Sequence, residues 1–286
     1  MKQIREVSKV FRSKPTLEGA GVHLKRVFGY NEVPLFDPFL LLDHFGSDNP
    51  DDYLAGFPWH PHRGIETVTY MISGAVQHGD SIGNSGVIHS GDVQWMTAGS
   101  GIIHQEMPEQ TNGPMMGFQL WVNLPSSHKM MDPRYRGINK DQLPLVSPTN
   151  GTTIRIISGE VNGTRGPVQD LITEVEYLDV SLNPGVVFEH PIKPGFNAFA
   201  YVFQGSAAFG LNENKTIPKD HLVLFRDGDR ISIKADQTEG VRFILISGNP
   251  IKESVAWYGP IVMNTNEEIQ LAFDEYRHGI FIKTPK

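Results

Sequence analysis

The chain has 286 residues, of which 39% are hydrophobic and 20% charged, a composition that suits one large or two ordinary folded domains and excludes a disordered chain. A net charge of -7 disfavours unaided binding to a polyphosphate backbone. There are no cysteines, so disulfides, thiol nucleophiles and zinc–cysteine sites are excluded, and any bound metal must use nitrogen and oxygen ligands.

The opening stretch, MKQIREVSKVFRSKP, lacks the apolar centre of a signal peptide, and no apolar run reaches the ~18 residues of a membrane span. A cytoplasmic protein with no membrane contact is expected, and the Asn-Gly-Thr triplets at Asn150 and Asn162 then carry no glycan. The basic residues scattered from Arg5 to Arg26 read as a solvated edge strand rather than a nucleic-acid patch. Glycine and proline are frequent (29 and 20) and the apolar segments short, which predicts strands and turns. Period-two alternation predicts strands over Glu66 to Ser73, Met116 to Leu124, Thr152 to Val161, Ala198 to Gly205 and Val241 to Gly248. The one helix predicted is Asn266 to Arg277. Asn264 or Thr265 can cap it, Glu267 and Glu268 suit the positive end of its dipole, and Ile269, Phe273 and Tyr276 share a face.

An internal repeat relates YMISGAVQHG (Tyr70 to Gly79) to YVFQGSAAFG (Tyr201 to Gly210), each followed by a glycine–aspartate pair, Gly91-Asp92 and Gly228-Asp229. Two copies of one β-unit predict an all-β chain of two stacked barrels or sandwiches with a short C-terminal helix. The proline-bearing stretch Asn139 to Asn150 is the natural join. It gives an N-terminal domain of residues 1–138 and a C-terminal domain of residues 139–286, with the tail helix packing back on the first.

Eight of the eleven histidines precede residue 130. His60 and His62 are two apart, so on a strand their imidazoles share a face, and His104 and Glu106 repeat the spacing. Two such pairs on neighbouring strands would offer three imidazoles and a carboxylate to one first-row ion, leaving coordination positions open for chemistry. Pro61 fixes the backbone between the first two histidines, and Gly99 and Gly101 permit a tight turn before His104. Glu66, four residues beyond His62, competes with Glu106 on spacing. His78 and His89 lie near an expected loop and read as surface residues.

These residues carry a resemblance. The pattern His60-x-His62-xxx-Glu66, with Gly91-Asp92 and His104 downstream, is similar to the two cupin motifs. The closer match is the pirin family of bicupins, through FDPFLLLDHF (Phe36 to Phe45), HPHRGIETVTY (His60 to Tyr70), GDVQWMTAGSGIIHQEMP (Gly91 to Pro108), FQLWVNLP (Phe118 to Pro125) and GPIVMNTNEEI (Gly259 to Ile269). The resemblance spans nearly the whole chain. It implies two cupin-type barrels, the first holding one divalent ion on His60, His62, His104 and Glu106. That ion is expected to be Fe2+, with manganese, nickel, copper, zinc and cobalt as alternatives. With the repeats aligned at Gly74 and Gly205, the places of His60 and His62 are taken by Pro191 and Lys193, so the second barrel is expected to hold no metal.

Some pirins resemble quercetinases, which implies a dioxygenase that opens the flavonol ring with O2 and releases CO. Glu106 would then be both ligand and acceptor of the flavonol hydroxyl proton. Phe57, Trp59, Met107, Phe118 and Trp121 are candidate walls for the flat substrate, and Gln119, between Phe118 and Leu120, is a candidate polar anchor. Other pirins act without catalysis, binding a transcription factor or a metabolic enzyme as protein partner, and that is the alternative expectation.

Overall fold

The computed structural model describes residues 3–110, 113–211 and 215–283. The described chain is built mainly from antiparallel strands, with a single α-helix at its C-terminal end, Asn266–Arg277. It divides into two compact units, and neither is a continuous run of sequence. One comprises Met1–Ser13 with Asp141–Pro250, the other Lys14–Lys140 with Ile251–Lys286.

The N-terminal excursion has a hydrogen-bonding cause that a cut at 138/139 misses. Strand Val7–Arg12 pairs antiparallel with His221–Phe225, supplying an edge strand that residues 141–250 lack. Just before it, the Arg5 guanidinium is buried among the carbonyls of Lys193, Phe196 and Gly228 and the Asp227 carboxylate, at 2.7 to 3.0 Å. The Arg5 end of the basic stretch is therefore an internal clamp, not a solvated patch. At the other end of the chain, Ile261–Met263 and the helix pack against the unit of residues 14–140. Ile261, Ile269, Ala272 and Phe281 are buried there with the partly buried Ile103.

In the 141–250 unit, the ten-stranded sheet encloses one apolar cluster that includes Ile156, Leu178, Phe188, Val202, Phe209, Phe243 and Leu245. The other unit has a seven-stranded sheet and a four-stranded one. The seven run, across the sheet, Arg134–Ile138, Val93–Thr97, Ile65–Ser73, Met115–Asn123, Phe39–Ser47, Val22–Phe28 and Lys14–Glu18. The four run Phe57–His62, Ile102–Pro108, Ala75–Asp80 and Ser85–His89. Val22, Leu24, Phe45 and Met71 of the larger sheet pack with Val76 and Ile88 of the smaller, and Leu40, Ile65 and Met96 pack with Ile102. The two repeated glycines, Gly74 and Gly205, both have positive φ (88° and 69°). At Gly74 the chain passes from the larger sheet to the smaller. At Gly205 a single long strand, Asn197–Phe209, changes its pairing partners.

The predicted elements lie close to the observed ones. The strands over 66–73, 116–124, 198–205 and 241–248 are found within a few residues, and the stretch 152–161 divides at Gly159 into Thr152–Ser158 and Glu160–Val161. The helix begins at a Thr265 cap whose hydroxyl accepts from the Glu268 amide, while the Glu268 carboxylate accepts from the Thr265 amide. Its buried face is Ile269 and Ala272 rather than the full Ile269–Phe273–Tyr276 stripe, and Tyr276 is exposed.

Candidate metal centre

Three histidines converge. The ligand nitrogens of His60, His62 and His104 lie within 4.8 Å of one another, the one group of three or more potential ligands among the described residues that could hold an ion. They come from two adjacent strands of the smaller sheet, Phe57–His62 and Ile102–Pro108, in which His104 sits directly opposite His60. The turn before His104 needs its glycines: Gly99 has φ 51°, and a Cβ there would meet the Met131 carbonyl oxygen at 2.2 Å.

Hydrogen bonds fix the direction of the rings. His60 Nδ1 is 2.8 Å from the Pro58 carbonyl and His62 Nδ1 is 3.0 Å from the Pro260 carbonyl. A carbonyl can only accept, so both Nδ1 atoms carry the proton and both Nε2 atoms present lone pairs. Those two Nε2 atoms are 3.1 Å apart, lone pair facing lone pair. Neither ring nitrogen of the buried His104 has a hydrogen-bond partner. Burial, reinforced by the neighbouring His60, pushes the His62 pKa down to about 3, and burial and the surrounding histidines push His104 well below the usual range. The His62 and His104 rings are thus neutral around pH 7, the form a metal requires. Converging lone pairs and an orphaned buried imidazole fit a first-row cation, and the absence of thiolate leaves the ion's identity to nitrogen and oxygen preferences.

The Glu106 carboxylate stands outside the three-histidine group but lines the same cavity. The Thr69 hydroxyl has one proton and two acceptors in reach, Glu106 Oε1 at 2.9 Å and Gln119 Oε1 at 2.7 Å. With the Gln119 amide turned so that its NH2 faces Thr69, the bonds run in one sense, Gln119 to Thr69 to Glu106. Glu66 is removed from this site. Gly64, at φ 79°, ends the strand that carries His62 and sends the chain into the larger sheet, so the same-face count from His62 to Glu66 does not carry across. Thr69 faces the cavity, and Glu66, three residues earlier, faces away and accepts from the Thr97 hydroxyl at 2.6 Å.

The cavity beside the histidines has a volume of about 770 Å³, within the range of small-molecule sites. Of the proposed walls, Phe57 and Trp121 line it, as does Gln119, whereas Trp59, Met107 and Phe118 do not. Phe118 stacks on His44 on the opposite face of its strand, as period-two alternation with Gln119 and Trp121 demands. Trp59 is 53% exposed. It alternates off the face that His60 and His62 share, whereas a bulge beside it, where His104 pairs with His60 but Glu106 with Phe57, adds one residue and turns Phe57 onto the histidine face. Met107 alternates away from Glu106, and its sulfur lies against Gly56. Sequence reasoning missed Trp257 and Pro260, which reach the cavity from the far end of the chain, and also Arg26 and Asp43. It also misplaced His78. That residue is buried beside His104, accepts from the Gln94 amide at 2.9 Å and donates to Asp80 at 3.2 Å. His89 is exposed.

The chain matches the pirin family over residues 21–122 and the pirin C-terminal cupin domain over residues 177–282. It is 44% identical to a pirin-like protein of Caulobacter vibrioides over 97% of this chain and 99% of that one. It is 40% identical to pirin of Homo sapiens over 93% and 90%. A crystal structure of quercetin 2,3-dioxygenase from Acinetobacter baumannii superposes with a TM-score of 0.90 at 30% identity, covering 98% of this chain and 99% of that one. Two cupin domains, full-length identity to named pirins and a closely superposing structure agree: this chain belongs to the pirin family.

Proposed function

We propose that this protein is a metal-dependent dioxygenase that opens the ring of a quercetin-type flavonol with O2. The observation that carries this reading is the 770 Å³ cavity that reaches the converging histidines, lined by His60 and His62 and by Glu106. A metal buried for structural reasons alone needs no such access. Similarity to a quercetin 2,3-dioxygenase over nearly the whole chain supports the same substrate class.

A divalent ion on His60, His62 and His104, for which iron is the first candidate, would supply Lewis-acid and redox chemistry for O2. The protein's own part is positioning and proton handling. Phe57 and Trp121 present flat apolar surfaces to an aromatic ring system and keep water from it. Glu106 is the carboxylate placed to take the proton of the flavonol hydroxyl, or to serve as a fourth ligand, and Thr69 holds it by a hydrogen bond. Gln119 orients Thr69. Holding substrate and oxidant in one pocket replaces a collision by proximity.

The test is oxygen uptake and CO release by iron-loaded protein with quercetin. Turnover that disappears in His62→Ala, together with the bound metal, supports the reading. Metal-loaded wild type that binds quercetin without consuming oxygen overturns it and leaves a partner-binding role in its place.

A further inference from the structure

The larger sheet carries a row of polar side chains across four neighbouring strands. Arg26 is registered with Asp43, Asp43 with Gln119, and Gln119 with Thr69. All four line the cavity. At about 4.8 Å per strand, the row from Thr69 to Arg26 covers roughly 14 Å, comparable to a three-ring aromatic with its substituents. Its near end is Thr69, bonded to Glu106 beside the histidines. Its far end is an ion cluster: Arg26 donates to both Asp43 oxygens, at 3.0 and 2.8 Å, and to Glu18 at 2.8 Å.

That far end is built to accept. Each Asp43 oxygen takes one bond from Arg26 and has a second lone pair, and Glu18 adds another acidic acceptor on the cavity wall. Two carboxylates against one guanidinium leave the cluster net negative. Burial pushes the Asp43 pKa up to about 6 despite the pull of Arg26, so its carboxylate gains from any further donor. Arg26, forked onto Asp43 and reaching Glu18, commits a donor from each of its three nitrogens to a carboxylate, which neutralises its charge locally.

We propose that Asp43 and Glu18 form a distal specificity subsite that takes phenolic hydroxyl donors on the ring remote from the metal and rejects anionic groups there. This rests on reading the cavity as a flavonol site and adds to it the substitution pattern of the substrate. Neutral hydroxyls on the remote ring are recognised by two carboxylates, and the acidic oxygen of the substrate is directed to the metal end.

The test is a ligand series read by quenching of the tryptophan fluorescence, since Trp121 and Trp257 line the cavity. Metal-free and metal-loaded proteins are titrated with 3-hydroxyflavones whose pendant ring bears no substituent, hydroxyls, methoxyls or a carboxylate. A parallel series lacks the 3-hydroxyl. Hydroxyls are expected to tighten binding about tenfold, the magnitude of one or two net hydrogen bonds. Methoxyls should lose that gain, and the carboxylate should bind weakest. In Glu18→Ala and Asp43→Ala, the hydroxyl preference should fall below about twofold. The methoxyl comparison uses wild-type protein only, so it decides even if the Asp43 variant does not fold. Equal binding across the substituents, tightest binding of the carboxylate, a preference that survives both variants, or no binding by any ligand overturns the proposal. If hydroxyl-dependent binding holds in both series but no flavonol is oxidised, the subsite stands and the dioxygenase reading falls.

Discussion

At the residue scale, the site is held by hydrogen bonds that sequence spacing reveals only in part. The pairs His60/His62 and His104/Glu106 are legible because a strand repeats every two residues, and the three histidines do converge. His62→Ala and His104→Ala are each expected to cut the metal content of purified protein from about one equivalent to a small fraction of it, checked by elemental analysis. Thr69→Val removes the proton that Glu106 accepts while keeping shape. It should lower turnover about tenfold or more with a smaller change in metal content, and Thr69→Ser should restore most of the loss. What the spacing could not show was the bulge that brings Phe57 to the histidine face or the glycine that isolates Glu66, since each depends on how two strands register against each other. Phe118 and Trp59 are different: their parities, against Gln119 and Trp121 for the one and His60 and His62 for the other, were already readable. Lys129 was silent in the sequence. Its ammonium is buried and donates to Gly64 O, Val262 O and Asn123 Oδ1, and burial lowers its pKa to about 7. The unfolded chain keeps that proton to about pH 10. From pH 7 to 10 the unfolded state therefore binds more protons, and wild-type stability gains up to about 1.4 kcal/mol per pH unit from this group. Lys129→Met should lack that gain, so urea unfolding should show wild type pulling ahead of the variant as pH rises.

At the element scale, the C-terminal segment does more than a capped helix suggests. The helix was legible from its cap, its acidic first turn and its 3.6-residue period. The side chains that anchor it were not, because their contacts span more than 200 residues. Arg63, buried next to His62, donates to the Ser100 and Phe281 carbonyls, pairs with Glu275 at 2.7 Å and lies 4.3 Å over the Phe281 ring. Phe281→Ala empties a fully buried ring position and is expected to destabilise by about 3–5 kcal/mol in denaturant unfolding. Thr265→Ala removes only the cap and should cost about 1 kcal/mol. A cap loss as damaging as the ring deletion would show that the helix, not the Arg63 anchor, secures this segment.

At the scale of the whole molecule, the repeat was legible and the pairing of the first strand with the later half of the chain was not. Each unit borrows a terminal piece, and a pairing between residues 7–12 and 221–225 leaves no mark on composition. Residues 1–138 and 139–286 expressed separately are therefore expected to aggregate. The first lacks the segment carrying Pro260 and Ile261, and the second lacks the strand that covers His221–Phe225. Fragments that stay monomeric and folded by circular dichroism and gel filtration would contradict this. The reach from His62 to Pro260 also sets an order of events in the cell. The two are 198 positions apart, and a ribosome delivers the amino end first. The first histidines emerge early, yet the carbonyl that orients His62 is made 198 residues after it. Until Pro260 has been added, a growing chain has an unfinished ion cradle. Chains terminated before Pro260 should therefore be poor at retaining an ion, which metal analysis of such truncations checks.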